Sequence, residues 1–201
     1  MMTILYKVYN NLYVNLTNRC TCNCTFCLRQ TRDEMNHSGS LWLEHEPTVE
    51  EIKQAFAQKD MSEYEEVVFC GFGEPTMRLE DLLALAAWVK ETYQMPTRVN
   101  TNGLANLYFN RDVTPEFEGK IDTVSISLNT PNADRYHELT QNIFGDRAFD
   151  GMLDFADKIK AYVPHVVMTT VETTLTKEEE AECQAICDRL GVTYRIRAWE
   201  N

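Results

Sequence analysis

The chain has 201 residues, of which 44% are hydrophobic and 25% are charged, and its formal net charge is −12. This length fits one domain, so we expect residues 1–201 to form a single core domain. The acidic charge argues against nucleic acid as a partner, because phosphate backbones attract basic surfaces. No apolar run is long enough to cross a bilayer, and the first residues lack the order of a secretion signal. We therefore expect a cytoplasmic protein without a membrane partner, whose seven cysteines are reduced.

Short apolar runs of β type alternate with stretches of helical periodicity along the chain. Strands are predicted at Leu12–Thr17, Glu66–Cys70, Thr97–Thr101, Thr123–Leu128, His165–Val171 and Thr193–Ala198. Helices are predicted at Thr48–Lys59, Leu79–Tyr93, Asn132–Leu139, Phe149–Tyr162 and Lys177–Leu190, with at most one further turn at Thr114–Gly119. The pairs Thr48 with Glu51 and Thr176 with Glu179 have the spacing of capping boxes, and Gly191 is placed to end the last helix.

Six strand–helix units of this kind predict an α/β fold with parallel strands. The strands are apolar on both faces, which is typical of parallel strands covered by helices. A complete eight-stranded barrel needs about 250 residues, so we predict a partial (β/α)6 barrel, an open three-quarter TIM-type barrel. A flat doubly wound sheet is the structural alternative. In either fold, ligands bind at the carboxyl ends of the strands.

The stretch Asn15–Gln30, "NLTNRCTCNCTFCLRQ", carries four cysteines directly after the first predicted strand. Cys20, Cys24 and Cys27 have the spacing C-x3-C-x2-C, and three thiolates on one loop can bind three irons of a [4Fe–4S] cluster. The fourth iron would then have no protein ligand. Adding Cys22 would give a four-thiolate set suited to zinc. The spacing by itself favours the cluster and leaves the zinc site open.

Polar and glycine-rich stretches follow the other predicted strands. They are "GFGEP" from Gly71 to Pro75, "NTNG" from Asn100 to Gly103, "SLN" from Ser127 to Asn129, Glu172, and "RAWE" from Arg197 to Glu200. Because the carboxyl ends of parallel strands lie at the same edge of a sheet, this pattern predicts an active site there.

Together, Cys20, Cys24 and Cys27 with "GFGEP", "NTNG" and "SISLN" resemble the radical S-adenosylmethionine (SAM) superfamily over nearly the whole chain. The resemblance implies that these three cysteines bind a [4Fe–4S] cluster and that Cys22 does not. It also implies that the unique iron binds the amino and carboxylate groups of SAM. One electron then cleaves SAM, and the 5′-deoxyadenosyl radical abstracts hydrogen from a substrate.

The resemblance assigns further residues to SAM. Phe26 is similar to the aromatic residue near the adenine, Gly73 permits close backbone approach, and Glu74 accepts a hydrogen bond from the ammonium group. Phe72 departs from the pattern, because it replaces the first glycine of the family's Gly-Gly-Glu-Pro loop. Thr101, Asn102 and Ser127 match strand-end positions that contact the carboxylate or ribose, and Asn129 stands where many members have Asp. Glu172 and Arg197 are assigned to SAM only by their place at strand ends, and a salt-bridged pair is the alternative for these two. Trp199 is expected to shield the adenine or to close the core.

The resemblance also implies partners. The mechanism requires an external electron donor of the flavodoxin or ferredoxin type, and the substrate is unknown. An open barrel suggests a protein or peptide substrate that closes the site, and the irregular segment 29–47 is a candidate lid or docking surface. The stretch "NNLYVNLTNRCTCNCTFCLR" is most similar to the TatD-associated radical SAM proteins. Glycyl-radical activating enzymes and deazapurine-precursor synthases are alternatives within the superfamily, and a non-catalytic iron–sulfur or zinc protein is the alternative outside it.

Overall fold

The computed structural model describes residues 2–198, and its seven strands form one sheet in chain order. The strands are β1 (Leu5–Val8), β2 (Asn11–Val14), β3 (Glu66–Phe69), β4 (Thr97–Thr101), β5 (Thr123–Ser127), β6 (His165–Val171) and β7 (Thr193–Arg197). β1 pairs with β2 in antiparallel fashion. The pairs β2–β3, β3–β4, β5–β6 and β6–β7 are parallel. In the described part of the chain the sheet does not close, since β1 and β7 are its edges.

Six α-helices and several short 3-10 turns connect the strands. The helices are α1 (Val49–Phe56), α2 (Leu79–Tyr93), α3 (Ala105–Phe109), α4 (Ala133–Thr140), α5 (Arg147–Ile159) and α6 (Lys177–Leu190). Both predicted capping boxes are present, at Thr48 before α1 and at Thr176 before α6. Gly191 ends α6 with a left-handed φ of 70°, as predicted. No helix among residues 2–198 is long and apolar enough to span a membrane.

All six predicted strands are present, but the sequence prediction missed β1. The turn between β1 and β2 places Tyr9 at a φ of 51°, where a hairpin normally has Gly, Asn or Asp. The usual hairpin signal is therefore absent from the sequence. The helix α3 was also missed, because its five residues are too few to show a helical period.

The chain divides into two compact units. The first contains residues up to Cys20, Phe26–Asn100 and Gly119–Asp122; the second contains Thr21–Thr25, Thr101–Glu118 and the chain from Thr123 onwards. In the first unit the core includes the apolar face of α2 and the central residues of β3. In the second unit it includes one face of α5, with Met152, Phe155 and Ile159 fully buried. The expectation that residues 1–201 act as one core domain stays a prediction.

Candidate active site

The loop after β3 lies directly on the backbone that leads into Cys20. A Cβ atom on Gly73 would lie 2.2 Å from the carbonyl oxygen of Thr17 and 2.6 Å from that of Arg19. The backbone N–H of Glu74 donates a hydrogen bond of 2.7 Å to the same Arg19 carbonyl. Since backbone cannot move aside as a flexible side chain can, only glycine fits at position 73.

The Glu74 carboxylate is buried and has a fixed orientation. Its side chain is 5% exposed, and Oε1 accepts hydrogen bonds from the backbone N–H of Thr76 at 3.1 Å and from its hydroxyl at 2.7 Å. These bonds cap the 3-10 turn Pro75–Arg78. A buried carboxylate is costly unless it is hydrogen-bonded or paired with a cation. Glu74 therefore suits an ammonium group better than a neutral ligand.

Phe72, the departure from the family pattern, is a core residue. It is 7% exposed, belongs to a cluster with Tyr6, Val8 and Leu41, and lies edge-on to Trp42 at 5.2 Å. Its bulk is thus accommodated inside the first unit. Replacement of the family's glycine by Phe72 does not disturb the close approach of the neighbouring Gly73.

Residues 41–47, which we call the strap, run beside the end of β2 and are fixed to it. Asn15 donates from Nδ2 to the carbonyl of Leu41 at 2.7 Å. Asn18 makes two bonds with Leu43, donating to its carbonyl at 2.8 Å and accepting from its N–H at 3.0 Å. The proposed lid segment 29–47 is therefore anchored in its second half.

Glu46 lies near the end of the strap and accepts hydrogen bonds from two residues before Cys20. The Thr17 hydroxyl donates to its Oε1 at 2.5 Å, and Arg19 donates from Nε at 2.6 Å and from Nη2 at 3.1 Å. Burial raises the pKa of Glu46, but the bonds from Arg19 and Thr17 outweigh burial, so the pKa is lowered overall. Glu46 is therefore a carboxylate at neutral pH.

In the second unit, the stretch Thr21–Thr25 is held mainly by backbone hydrogen bonds. Asn23 and Thr25 donate from their N–H groups to the carbonyls of Thr140 and Leu139, both at 2.9 Å. The N–H of Ile143 donates to the carbonyl of Thr21 at 3.0 Å. The stretch that carries Cys22 and Cys24 thereby satisfies carbonyls at the C-terminal end of α4.

Cys22 is buried and contacts Asn102. It is 5% exposed, and Nδ2 of Asn102 lies 3.5 Å from its sulfur and 3.0 Å from the Thr21 hydroxyl, to which it donates. Oδ1 of Asn102 accepts from the N–H of Leu104 at 3.0 Å. Asn102, which the resemblance assigned to SAM, thus has a structural role in positioning the cysteine loop.

The three predicted cluster ligands differ from Cys22 in exposure, since Cys20, Cys24 and Cys27 are all partly exposed, as is Phe26. Among residues 2–198, no three His, Cys, Asp or Glu side chains are grouped to hold one metal ion. A zinc site needs four donors around a single ion at about 2.3 Å, whereas a cubane binds each cysteine at a different iron. The zinc alternative therefore rests on the sequence spacing alone.

The residues present fit a cluster with SAM. They supply three accessible thiols, a loop that only glycine permits, and a buried carboxylate. Asn100, in the "NTNG" stretch, adds a buried Oδ1 that has no hydrogen-bond partner among residues 2–198. An acceptor of this kind suits a ligand with N–H or O–H donors, as SAM has.

The remaining predicted residues lie at strand ends. Thr101 is 3% exposed and its hydroxyl accepts from the N–H of Gly103 at 3.1 Å. Ser127 ends β5, and Asn129, 7% exposed, has a φ of 64°. The backbone N–H of Glu172 donates to the carbonyl of Arg197 at 2.8 Å, so the structure joins these two through backbone. Their roles toward SAM stay predictions, and Trp199 lies outside the described residues.

Cys183 and Cys187 are both 0% exposed on α6. Burial raises the pKa of Cys183 to about 12 and that of Cys187 to about 11. Both are therefore neutral thiols at physiological pH.

Sequence reasoning missed the residues that support the site, namely Asn15, Thr17, Asn18 and Glu46. Glu46 has no local signal, because it lies in an irregular segment 26 residues after Cys20 in the chain. Thr17 and Asn18 are polar residues that lie between a buried strand and the cysteines. This position was the sequence signal that could have identified them as supporting residues.

The radical SAM superfamily model matches residues 14–190, so the chain belongs to the radical SAM superfamily. Members of this superfamily are enzymes that use a [4Fe–4S] cluster and S-adenosylmethionine, and they require an electron donor and a substrate. The predicted cofactors are thereby confirmed. The finer placement among TatD-associated proteins rests on the sequence alone.

One curated relative is the GTP 3′,8-cyclase of Corynebacterium glutamicum, 31% identical over 145 residues. The match covers 67% of this chain, which spans only 35% of that relative's length. Among solved structures, Streptococcus suis SuiB bound to precursor peptide SuiA is 16% identical with a TM-score of 0.68, over 98% of this chain and 40% of SuiB. Methylornithine synthase (PylB) is 18% identical with a TM-score of 0.68, over 96% of this chain and 54% of PylB. These matches confirm the predicted open α/β fold of parallel-barrel type.

Proposed function

We propose that this chain carries out reductive cleavage of SAM and uses the resulting radical on a substrate. The observation that carries the proposal is the Gly73–Glu74 loop, which lies on the backbone that leads into Cys20 and carries a buried carboxylate. An electron carrier that does no SAM chemistry needs no buried acceptor for an ammonium group. The cluster and SAM, when bound, supply one-electron cleavage of SAM to methionine and a 5′-deoxyadenosyl radical.

The chain's own residues have distinct tasks in this proposal. Cys20, Cys24 and Cys27 bind the cluster as thiolates, which requires a reducing compartment such as the cytoplasm. Glu74 accepts a hydrogen bond from the ammonium group of SAM, and Gly73 allows the approach. Phe26 lies against the adenine, and five strand-end residues bind the rest of SAM; they are Thr101, Ser127, Asn129, Glu172 and Arg197. Asn102 acts on the cysteine loop, through its bonds to Thr21 and Cys22.

We propose an electron donor of the flavodoxin or ferredoxin type, which supplies the single electron that the cleavage consumes. For the substrate, we propose a protein or peptide that covers the open edge of the sheet. This is supported by β7, where Arg195, Ile196 and Arg197 are all exposed. A structure in which this chain alone encloses a small substrate would contradict that choice.

Within the superfamily we propose a place among the TatD-associated proteins, on the stretch "NNLYVNLTNRCTCNCTFCLR". The 31% identity to a GTP 3′,8-cyclase provides a second substrate to test, GTP, but covers about a third of that enzyme's length. Incubation of the reduced protein with SAM and GTP decides this point. If a cyclised nucleotide is formed, GTP is the substrate, and the proposal of a protein or peptide substrate is wrong.

Anaerobic reconstitution with iron and sulfide tests the main proposal. We expect a brown protein that, when reduced with dithionite, converts SAM to 5′-deoxyadenosine and methionine. A coloured protein that leaves SAM intact would indicate an electron carrier, and a colourless protein with one tightly bound zinc would indicate a binding module. Either result would refute the proposed chemistry.

A further inference from the structure

The connection between the strap and the SAM-binding loop passes through a single carboxylate. Glu46 binds the Thr17 hydroxyl and the Arg19 guanidinium, and the carbonyls of these same two residues form the surface on which Gly73 lies. We propose that Glu46 is a positioning residue for SAM, acting through Thr17 and Arg19 on Gly73 and Glu74. This inference rests on the proposed function and deepens it, because it concerns the same site.

In the first step, Glu46 fixes the chain before Cys20 through hydrogen bonds. Thr17 is 1% exposed, and its hydroxyl both donates to Glu46 at 2.5 Å and accepts from the N–H of Arg19 at 2.9 Å. The Arg19 side chain returns to the same carboxylate with two bonds. Three hydrogen bonds to one ionised group thus fix the backbone between Thr17 and Arg19 from both ends.

The second step transmits this constraint to the ammonium acceptor. The Arg19 carbonyl accepts the N–H of Glu74 at 2.7 Å, and Gly73 contacts the carbonyls of Thr17 and Arg19 more closely than any Cβ would allow. A rotation of the Thr17–Arg19 peptides would therefore displace Glu74. The distance between the nitrogen and the oxygen in a strong hydrogen bond varies by only a few tenths of an ångström. A small displacement of Glu74 therefore weakens SAM binding.

The ion pair alone does not give Glu46 this role. The Glu46 and Arg19 side chains are 38% and 50% exposed, and exposed ion pairs contribute little to stability. The positioning role of Glu46 depends instead on the buried hydroxyl of Thr17. When Glu46 is removed, this hydroxyl loses the acceptor of its hydrogen bond. The consequence of removing Glu46 is thus local misplacement rather than global unfolding.

The strap keeps its other attachments when Glu46 is removed. Arg78 donates from Nη1 to the carbonyl of Pro47 at 2.7 Å and to that of Leu16 at 2.9 Å. Asn18 and Leu43 keep their reciprocal pair. A Glu46 variant can therefore fold normally, which makes the proposal testable by substitution.

The experiment compares Glu46→Ala and Glu46→Gln with Glu44→Ala, which removes an exposed carboxylate two residues earlier on the strap. In the protein without cluster, hydrogen–deuterium exchange is measured on peptides covering residues 15–20 and 70–76. In the reconstituted protein, iron content, the dissociation constant of SAM, and KM and kcat for SAM cleavage are measured. The melting temperature is recorded for each variant.

We expect Glu46→Ala to accelerate exchange in both peptides and to raise the dissociation constant and the KM for SAM about tenfold, the effect of losing one or two charge-assisted hydrogen bonds. Iron content, kcat and melting temperature should change little. Glu46→Gln keeps one acceptor oxygen but loses the charge and the acceptor for Nη2 of Arg19, so it should show about half of the effect in binding free energy or more. Glu44→Ala should resemble the unchanged protein.

Two outcomes would overturn the proposal. One is exchange and SAM affinity in Glu46→Ala equal to those in Glu44→Ala. The other is faster exchange, or a lower melting temperature, with unchanged SAM affinity, since that shows a structural role only. If the unchanged protein does not bind SAM, the proposed function fails instead, and the exchange measurement still decides whether Glu46 fixes the loop after β3.

Discussion

Thr17–Arg19 and Thr21–Thr25 lie on either side of Cys20 in the chain, and they are held by different kinds of contact. The first stretch depends on side chains, above all on three hydrogen bonds to the Glu46 carboxylate. The second depends on backbone bonds to residues at the end of α4 and just beyond it. A stretch held by side chains can be released by one substitution, whereas backbone bonds persist when side chains are replaced. The two halves of the cysteine region should therefore respond differently to mutation.

The largest expected effect concerns the two cysteines within the second stretch. Cys24→Ala should abolish the brown colour and SAM cleavage, because it removes one of three cluster ligands. Cys22→Ala should leave both intact and lower the free energy of unfolding by about 1 kcal/mol, as expected for a small buried side chain. Iron analysis, absorbance and denaturant unfolding provide the measurements. Loss of the cluster in Cys22→Ala, or its retention in Cys24→Ala, would show that the ligand set is wrong.

The next effect concerns the two glycines after β3. Gly73→Ala would force a methyl group against the carbonyls of Thr17 and Arg19, while Gly71→Ala would force one against the Asn15 side chain, 2.1 Å from its Oδ1. Overpacking against a well-ordered interior costs about 1–3 kcal/mol, and the backbone contact should lie at the upper end. We expect SAM affinity to fall about a hundredfold in Gly73→Ala and clearly less in Gly71→Ala. Equal effects would mean that the loop after β3 is not held by this backbone.

Replacement of Glu74 tests the same loop through its charge. Glu74→Gln keeps the oxygen that accepts from Thr76 but removes the negative charge. A hydrogen bond to a charged group contributes about 1.5–3 kcal/mol, so SAM affinity should fall about tenfold to a hundredfold with the iron content unchanged. Glu80→Gln, an exposed carboxylate at the start of α2, is the matched control. Unchanged affinity in Glu74→Gln would remove Glu74 from the site.

The sequence predicts the fold well because its signals are local. The six parallel strands follow from short apolar runs, and the capping boxes at Thr48 and Thr176 follow from two residues each. The hairpin strand β1 was missed because Tyr9 replaces the usual turn residue. A rule based on typical turn residues does not detect a hairpin whose turn contains an unusual residue.

The candidate site is predictable only in part, for a related reason. The cysteines and the Gly73–Glu74 loop are contiguous motifs, so the resemblance identifies them directly. The contacts of Glu46 join residues 27 and 29 positions apart in the chain, and nothing near Glu46 indicates its partners. For Asn102 the motif implies a cofactor contact, which stays a prediction, and it gives no sign of the bonds that the side chain makes to Thr21 and Cys22.

The smallest expected effect returns to the backbone-held stretch and to Asn102. Asn102→Ala removes the hydrogen bonds to Thr21, Cys22 and Leu104, so the free energy of unfolding should fall by about 1–2 kcal/mol. Asn23→Ala, which removes the exposed side-chain bond to Gln141, should change it by less than about 0.5 kcal/mol.

SAM affinity separates the two roles that Asn102 could have. Because backbone bonds keep Thr21–Thr25 in place, we expect the dissociation constant for SAM to change less than about threefold in Asn102→Ala, the equivalent of about 0.7 kcal/mol. A tenfold loss of affinity without loss of stability would instead mean that Asn102 contacts SAM directly, as the sequence resemblance implies. In that case the two stretches would not differ as proposed. Replacement of one side chain in the second unit would lower SAM affinity as much as replacement of Glu46 in the first unit.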